Sequence, residues 1–414
     1  MKTLAKLTAT LALGAAFAVT FTQAMAAEEK PTNSKEAAKL LKAAQEAINA
    51  KPPKYQDAIA RLRDVDALPK KSPYDEYVMN NFASFAYGKL GDYANAEKAL
   101  EAMLPSQYLP QNELPMRVRQ LTAVNYQLKN WEKVIDYGTR SVKGGYADDQ
   151  AYQIVAQAYY LKADYRNTIK FTDDFVATEL KKGETPKEDT LQLILSSCVK
   201  LEDSPCITHA LERMVTYYPK QEYWQNLLES MFRDKGAAAN DKLMLEVYRL
   251  AADVDTLHKP DEFREMAQLA LDAGSPGEAQ RILEKGFAKN VFADPKDKER
   301  NQRLLDSAKK QAASDQAALP KVEAEVANAT TGDKEVSLGL AYLSYAQYDK
   351  AVAALNHGLA KGGVRNEAEA RLLLGIAQLK AGNKDEATKA FRGVKGDPTL
   401  ERLANLWTLH ARQA

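Results

Sequence analysis

Between Leu338 and Leu359 the chain reads "LGLAYLSYAQYDKAVAALNHGL". Apolar positions recur with helical spacing, pause at a short turn, and resume. The layout returns in "LGIAQLKAGNKDEATKAF" (Leu374 to Phe391) and in "FAYGKLGDYANAEKAL" (Phe85 to Leu100). In each, one helix ends on an aromatic or apolar residue and a turn of Gly, Ala, Asn or Asp follows. A second helix then opens with a small residue and carries a bulky one four positions later. Tracking that small residue, or its equivalent, gives Ala58, Ala96, Val134, Thr168, Ile207, about Leu243, Ala279, Ala318, Ala351 and Ala387. Ten pairs at a period of 33 to 39 residues thus phase the chain, the sixth and eighth most weakly. An irregular bundle would share no period.

These segments resemble tetratricopeptide repeats, helix-turn-helix units of about 34 residues. Gly339, Tyr342, Tyr348, Ala351 and Leu355 follow that motif's small, aromatic, aromatic, small and bulky order, and Gly375, Gly382, Ala387 and Phe391 repeat four of its features. A small side chain lets two helices approach, and the bulky neighbour fills the adjoining groove. Val134, Thr168 and Ile207 are larger than the motif's alanine. The resemblance implies an all-α, right-handed superhelical solenoid of about ten such pairs, spanning residues 34–397. After it, Asp397-Pro398 and Glu401 supply a cap, a helix-opening proline and a second capping group, which predicts a C-terminal capping helix over 398–414.

Composition agrees with helix: Ala, Leu, Lys and Glu dominate, with 20 Gly and 16 Pro in 414 residues. The N-terminus changes the picture of where the chain works. Lys2 and Lys6 precede an apolar run from about Leu7 to Phe21, then Ala24-Met25-Ala26. This is the pattern of a secretory signal peptide over 1–26, cleaved between Ala26 and Ala27, with a flexible lead-in over 27–33. The run is short for a membrane span, Ala27 stands where a lipid anchor would need cysteine, and no later stretch is long and apolar enough to insert. Periplasmic export is the expectation. Loss of the segment takes two of 57 basic residues against 56 acidic ones, leaving near-neutrality that gives no bulk attraction to nucleic acid or acidic lipid.

The two cysteines, Cys198 and Cys206 in "CVKLEDSPC", could be metal ligands, a redox pair or a staple. Only His209 lies nearby as a further ligand, and the spacing is wider than Cys-x-x-Cys. They flank the turn of the fifth pair, and export to an oxidising compartment favours a disulfide. Catalytic motifs do not emerge. His209, His258, His357 and His410 are dispersed, without zinc-ligand spacing. "GSPG" (Gly274 to Gly277) lacks the lysine and hydroxyl of a phosphate loop and reads as a turn. Acidic pairs such as Asp148-Asp149 and Asp173-Asp174 read as helix-end or exposed charges. The expectation is a non-enzyme that needs no cofactor. Tyr87, Tyr159, Tyr342, Tyr93, Tyr165 and Tyr348 fall at recurrent packing positions and are expected in the core.

Stacked pairs line one surface with their first helices, a shape suited to an extended peptide or a helix. Helical periodicity places Asn81, Phe85, Arg119, Tyr126, Gln153, Gln157, Tyr160, Arg264 and Gln268 on that wall. Amides suit a peptide backbone, arginine a carboxylate, and tyrosine an apolar side chain. Farther on, "EYWQNLLESMF" (Glu222 to Phe232), "LMLEVYRLA" (Leu243 to Ala251) and "MAQLALDAGSPGEAQRILEKGF" (Met266 to Phe287) resemble periplasmic tetratricopeptide proteins that accompany TonB/ExbB/ExbD systems. Tyr223-Trp224 and Gly274-Ser275-Pro276 carry that resemblance, which spans roughly 198–363 and implies an accessory partner of the energy transducer. The alternative is a scaffold for envelope assembly or for a peptidoglycan enzyme. Some lytic transglycosylases carry such a helical part, but the repeats here leave no room for a catalytic domain.

Overall fold

The computed structural model describes residues 31–232 and 240–413; the proposed cleavage site at Ala26 and Ala27 lies outside them. Among the described residues there are twenty helices and no strand. The chain is an all-α helical-repeat array. It begins with α1 (Lys35–Asn49) and α2 (Tyr55–Asp66), α3 (Pro73–Leu90) and α4 (Tyr93–Met103), and α5 (Leu114–Gln127) and α6 (Trp131–Lys143). Next come α7 (Asp149–Leu161) and α8 (Tyr165–Lys181), α9 (Glu188–Lys200) and α10 (Ser204–Tyr217), and α11 (Gln221–Phe232) and α12 (Asp241–Asp253). The rest are α13 (Pro260–Asp272) and α14 (Pro276–Ala288), the long α15 (Pro295–Ala327), α16 (Asp333–Ser344) and α17 (Tyr348–Lys361), α18 (Glu367–Lys380) and α19 (Lys384–Arg392), and α20 (Pro398–Gln413).

The turn inside a pair follows one recipe. Two positions before the second helix a residue adopts positive φ: Gly91, Lys129, Ala163, Glu202, Gly274, Ala346 and Gly382, between 54° and 86°. The next residue sends its main-chain N–H back five positions, to the carbonyl of Tyr87, Asn125, Tyr159, Cys198, Ala270, Tyr342 or Gln378. That bond satisfies an orphan carbonyl of the first helix. Asp92, Asn130 and Asp164 also open the second helix, their side chains accepting from the amides of Asn95, Lys133 and Asn167 at 3.3, 3.4 and 3.3 Å. One residue therefore closes one helix and caps the next, which fixes the pair's geometry locally.

Packing between the helices is as the small-and-bulky pattern requires. Ala58, Ala96, Val134, Thr168, Ala279, Ala351 and Ala387 are completely buried. A Cβ added to Gly339 would strike Leu355, and one on Gly375 would strike Phe391. Leu355 and Phe391 are themselves buried, each worth roughly 1.5–3 kcal/mol of transfer free energy. Ile207 and Leu243 are only partly buried, in keeping with their weaker fit.

Two expectations fail. The eighth pair is one continuous helix, α15, and Ala318 is exposed. Its buried stripe runs through Asn301, Leu305, Ala308, Ala312, Leu319 and Val326. The residues around Ala318 are strong helix formers with no glycine for a positive-φ turn, so Pro320 deletes one hydrogen bond without ending the helix. Of the six recurrent tyrosines only Tyr342 is fully buried; Tyr87 and Tyr93 pack half-buried against the core, and Tyr159, Tyr165 and Tyr348 are likewise half-buried, because a phenol packs its ring while its hydroxyl stays near water.

The chain forms two compact units, the cut falling between Asp203 and Ser204. Cys198 and Cys206 are joined in a disulfide. In unit 1, α1 to α9 stack neighbour on neighbour. Unit 2 returns on itself: α20 packs on α18 and α19, and also on α10 and α12 at the unit's start. Asp253 of α12 accepts from His410 of α20 at 2.9 Å and from Lys380 of α18. Arg402 reaches Ser230 at 3.3 Å and Gln413 donates to the carbonyl of Val215 at 2.6 Å. Trp407, buried, stacks on Phe391 with ring centroids 6.0 Å apart. The capping helix thus ties the end of the unit to its beginning.

Candidate functional site

The first helices of unit 1, α3, α5, α7 and α9, are joined by a ladder of polar contacts. Arg117 Nη2 donates to Asn81 Oδ1 at 3.2 Å, linking α5 to α3. Tyr126 donates to Gln157 Oε1 at 3.0 Å, linking α5 to α7, and the Tyr160 and Ser196 hydroxyls meet at 2.7 Å between α7 and α9. Partners one repeat apart land opposite each other because stacked pairs keep one register. Asn81 and Arg117, like Tyr160 and Ser196, are separated by 36 residues.

Arg117 anchors the N-terminal end of the ladder. It is buried, paired with Glu113 at 2.9 Å one turn earlier and with Gln120 Oε1 at 3.3 Å, while its Nε has no partner among the described residues. Beside it, Tyr74 and Tyr77 of α3 cluster with Tyr108 of the α4–α5 connection, with centroids 5.1 to 6.4 Å apart. Burial, and then the Glu113 carboxylate, push the Tyr77 phenol above its usual pKa. Burial also raises Tyr126. Both phenols therefore stay neutral donors at physiological pH. The second helices carry a separate charged patch, in which Lys133 of α6 meets Glu97 and Glu101 of α4 at 2.7 and 2.9 Å.

Asn81, Tyr126, Gln157 and Tyr160 are brought together in this ladder, and Gln153 lies half-buried one turn before Gln157. The others go elsewhere. Phe85 packs edge-on against Tyr55 of α2 at 6.1 Å and joins the core beneath α1. Arg119 is exposed and pairs with Asp148 at 3.5 Å. In unit 2, Arg264 pairs with Asp261 and Asp297, and exposed Gln268 donates to Asp272 at 3.1 Å within its own helix. The sequence reading missed Arg117, Gln120 and the tyrosine cluster. Arg119 and Arg117 differ by two positions, about 200° of helical rotation, so the choice between them decides which face carries the guanidinium. The one-repeat offset from Asn81 was the signal that pointed to Arg117.

As it stands, the surface offers half-buried phenols and amides and a buried guanidinium, a set suited to holding a polypeptide by hydrogen bonds and ring contacts. Among the described residues no three His, Cys, Asp or Glu side chains gather to hold a metal ion, and no helix is long and apolar enough to cross a membrane.

No family model matches the chain, and no curated protein does. Solved structures of helical-repeat proteins do. A tetratricopeptide repeat protein from Parabacteroides merdae is 11% identical over 80% of this chain and 98% of its own, with a TM-score of 0.29. The pentatricopeptide repeat protein PPR10 from maize is 15% identical over 93% of this chain and 57% of its own, also with a TM-score of 0.29. At such scores the fold rests on this chain's own helix pairs.

Proposed function

We propose that the chain is an exported, non-catalytic scaffold that holds a segment of an envelope protein against the first-helix face of unit 1. The observation that carries this reading is the ladder from Asn81 to Ser196. It spans four successive first helices with hydrogen-bonding and aromatic groups that, apart from the buried Arg117, are half-buried and tied to one another by hydrogen bonds. Groups held in place lose less entropy when a partner arrives. The periplasmic setting is supported by the Lys2 to Ala27 leader pattern and by the Cys198–Cys206 disulfide, a bond that persists in oxidising compartments. The segments around Tyr223-Trp224 and Gly274-Ser275-Pro276 extend the proposal to an accessory role beside TonB, ExbB or ExbD.

The test is photocrosslinking in the periplasm from positions 160 and 119, with the captured chain identified by mass. Tyr160 stands on the ladder and Arg119 on its exposed margin. Capture of TonB, ExbB or ExbD from position 160 is the expected result. Capture of a peptidoglycan enzyme, or retention on purified sacculi, would favour the wall-associated alternative. No specific capture from either position would overturn the scaffold reading.

A further inference from the structure

Unit 2 contains a cavity of about 220 Å³ bounded by α12, α13, α14, α16, α17, α18 and α20. Its apolar wall comes from Met266, Ile282, Leu343, Ile376 and Trp407. Drug-sized pockets run to roughly 300–1,000 Å³, so this space suits a smaller molecule, about one ring or one branched chain in size.

The charges around it do not cancel. Four lining cations, Arg249, Arg281, Lys285 and Lys380, face two lining carboxylates, Asp253 and Glu278. Arg249 is committed to Glu278 at 2.7 Å and to Glu246 behind it, and Lys380 shares Asp253 with His410. Lys285 shares Asp255 with Lys289, at 2.9 and 2.6 Å. Arg281 donates to the main-chain oxygens of Ser344 and Leu343 and has no carboxylate in ion-pair contact among the described residues. Glu278 and Glu284 act on Arg281 only from beyond ion-pair contact, so among the lining cations it is the one without an ion pair among the described residues.

The Trp407 indole closes the same wall. Trp407 is 1% exposed, and its Nε1–H has no hydrogen-bond partner among the described residues. A buried donor without an acceptor is unfavourable, typically by about 1–3 kcal/mol. That nitrogen is sealed from solvent, so what an anion in the cavity would answer is the Arg281 cation.

We propose that this cavity binds a small organic monocarboxylate with an aromatic or branched apolar body. Its carboxylate would lie near Arg281 and Lys285, and its body would lie against Met266, Ile282 and Ile376. This site is independent of the unit 1 ladder.

Titration of the full-length protein with phenylacetate, phenylacetamide and acetate, followed by calorimetry and by tryptophan fluorescence, tests the assignment. Phenylacetate should bind saturably at one site. Phenylacetamide, which lacks the charge, and acetate, which lacks the body, should bind about tenfold more weakly or worse. Lys285→Met should weaken phenylacetate by about tenfold in a protein whose circular dichroism is unchanged. If that variant fails to fold, the comparison of acid with amide on the unaltered chain still decides. Equal binding of acid and amide, no saturable binding of phenylacetate up to about 10 mM, or unchanged affinity in a folded Lys285→Met protein would each overturn the proposal.

Discussion

The buried guanidinium of Arg117 in unit 1 has one carboxylate partner, Glu113, and fills its other contacts with the amides Asn81 and Gln120. That of Arg249 in unit 2 bridges two carboxylates, Glu246 and Glu278, and both are buried or nearly so. Between the first helices of unit 1, α3 to α9, the contacts from one repeat to the next therefore run through amides and hydroxyls. Unit 2 locks charge on charge, and its C-terminal helix returns across its own opening helices. The same helix pair yields a polar wall in one unit and a partly covered cavity in the other, depending on whether a later segment comes back across it.

The Arg249 cluster shows what closure does to charge. Its paired contact to Glu278 holds that carboxyl below the usual range against the pull of burial. Glu246, with one oxygen unpartnered, is pushed up to about 7 by burial. Asp253 is also pulled up by burial, yet His410 and Lys380 together hold it down. Lys285 and Lys289 bring Asp255 to about 2.

The largest way to break the comparison is Trp407→Ala. Removing a fully buried indole should cost about 3–5 kcal/mol and release α20. Hydrogen exchange on the full chain should then show protection lost across residues 204–413 and kept across 31–203. Equal loss in both units would mean that closure is not what stabilises unit 2.

Next in size, Arg117→Met should cost about 3 kcal/mol, because Glu113 would be left nearly buried without its partner. Arg119→Glu, by contrast, should change stability by less than about 1 kcal/mol, since its pair with Asp148 is half exposed. Denaturant midpoints for the two variants check this, and similar losses would erase the distinction between anchor and margin.

Glu246 supplies a pH signature for unit 2. Its folded pKa lies above its ordinary value of 4.5, so its stabilisation is complete below about 4.5 and is lost as pH rises through about 7. Asp253, Asp255 and Glu278 are held down and act oppositely, losing their stabilisation as pH falls below the ordinary carboxylate range. Unit 2 should thus weaken between pH 4.5 and 7, by at most about 3 kcal/mol, and Glu246→Gln should flatten that slope. An unchanged slope in the variant would refute the assignment.

Reduction of the Cys198–Cys206 disulfide should cost about 2 kcal/mol, the amount expected of a short closed loop. Thiol titration of denatured, unreduced protein should find no free thiol, and finding two would contradict the bond. Smallest is a control on what the units share. Ala163→Gly and Ala346→Gly relieve the same positive-φ strain in units 1 and 2 and should each stabilise by about 0.5 kcal/mol. A gain in only one unit would show that the turns are not equivalent after all.

The pair was legible because its rules are short-range. Gly91, Gly274 and Gly382 mark positive-φ turns, Asp92 and Asn130 mark caps, and Ala96 or Ala351 marks the contact, all within about twenty residues of one another. Of the ladder, the sequence reading names Asn81, Tyr126, Gln157 and Tyr160, and it also names Arg119, which the structure puts on the exposed margin, since a two-residue step on a helix moves a side chain to another face. It also placed a turn near Ala318, where helix-forming neighbours carry α15 straight through. Nothing local flagged Glu246, Arg249 and Glu278, because i, i+3 charges ordinarily mark a solvated face.

By itself the sequence determined the helices, their pairing, their caps and most of their register, since each depends on neighbours in the chain. Only the tertiary structure decided that α20 returns to α10 and α12, that Asp253 waits for His410 and Lys380, and that a chamber forms beneath Trp407. Those contacts join groups 127 to 198 residues apart. No local pattern encodes them, because they arise from the small rotation that each pair adds to the one before it.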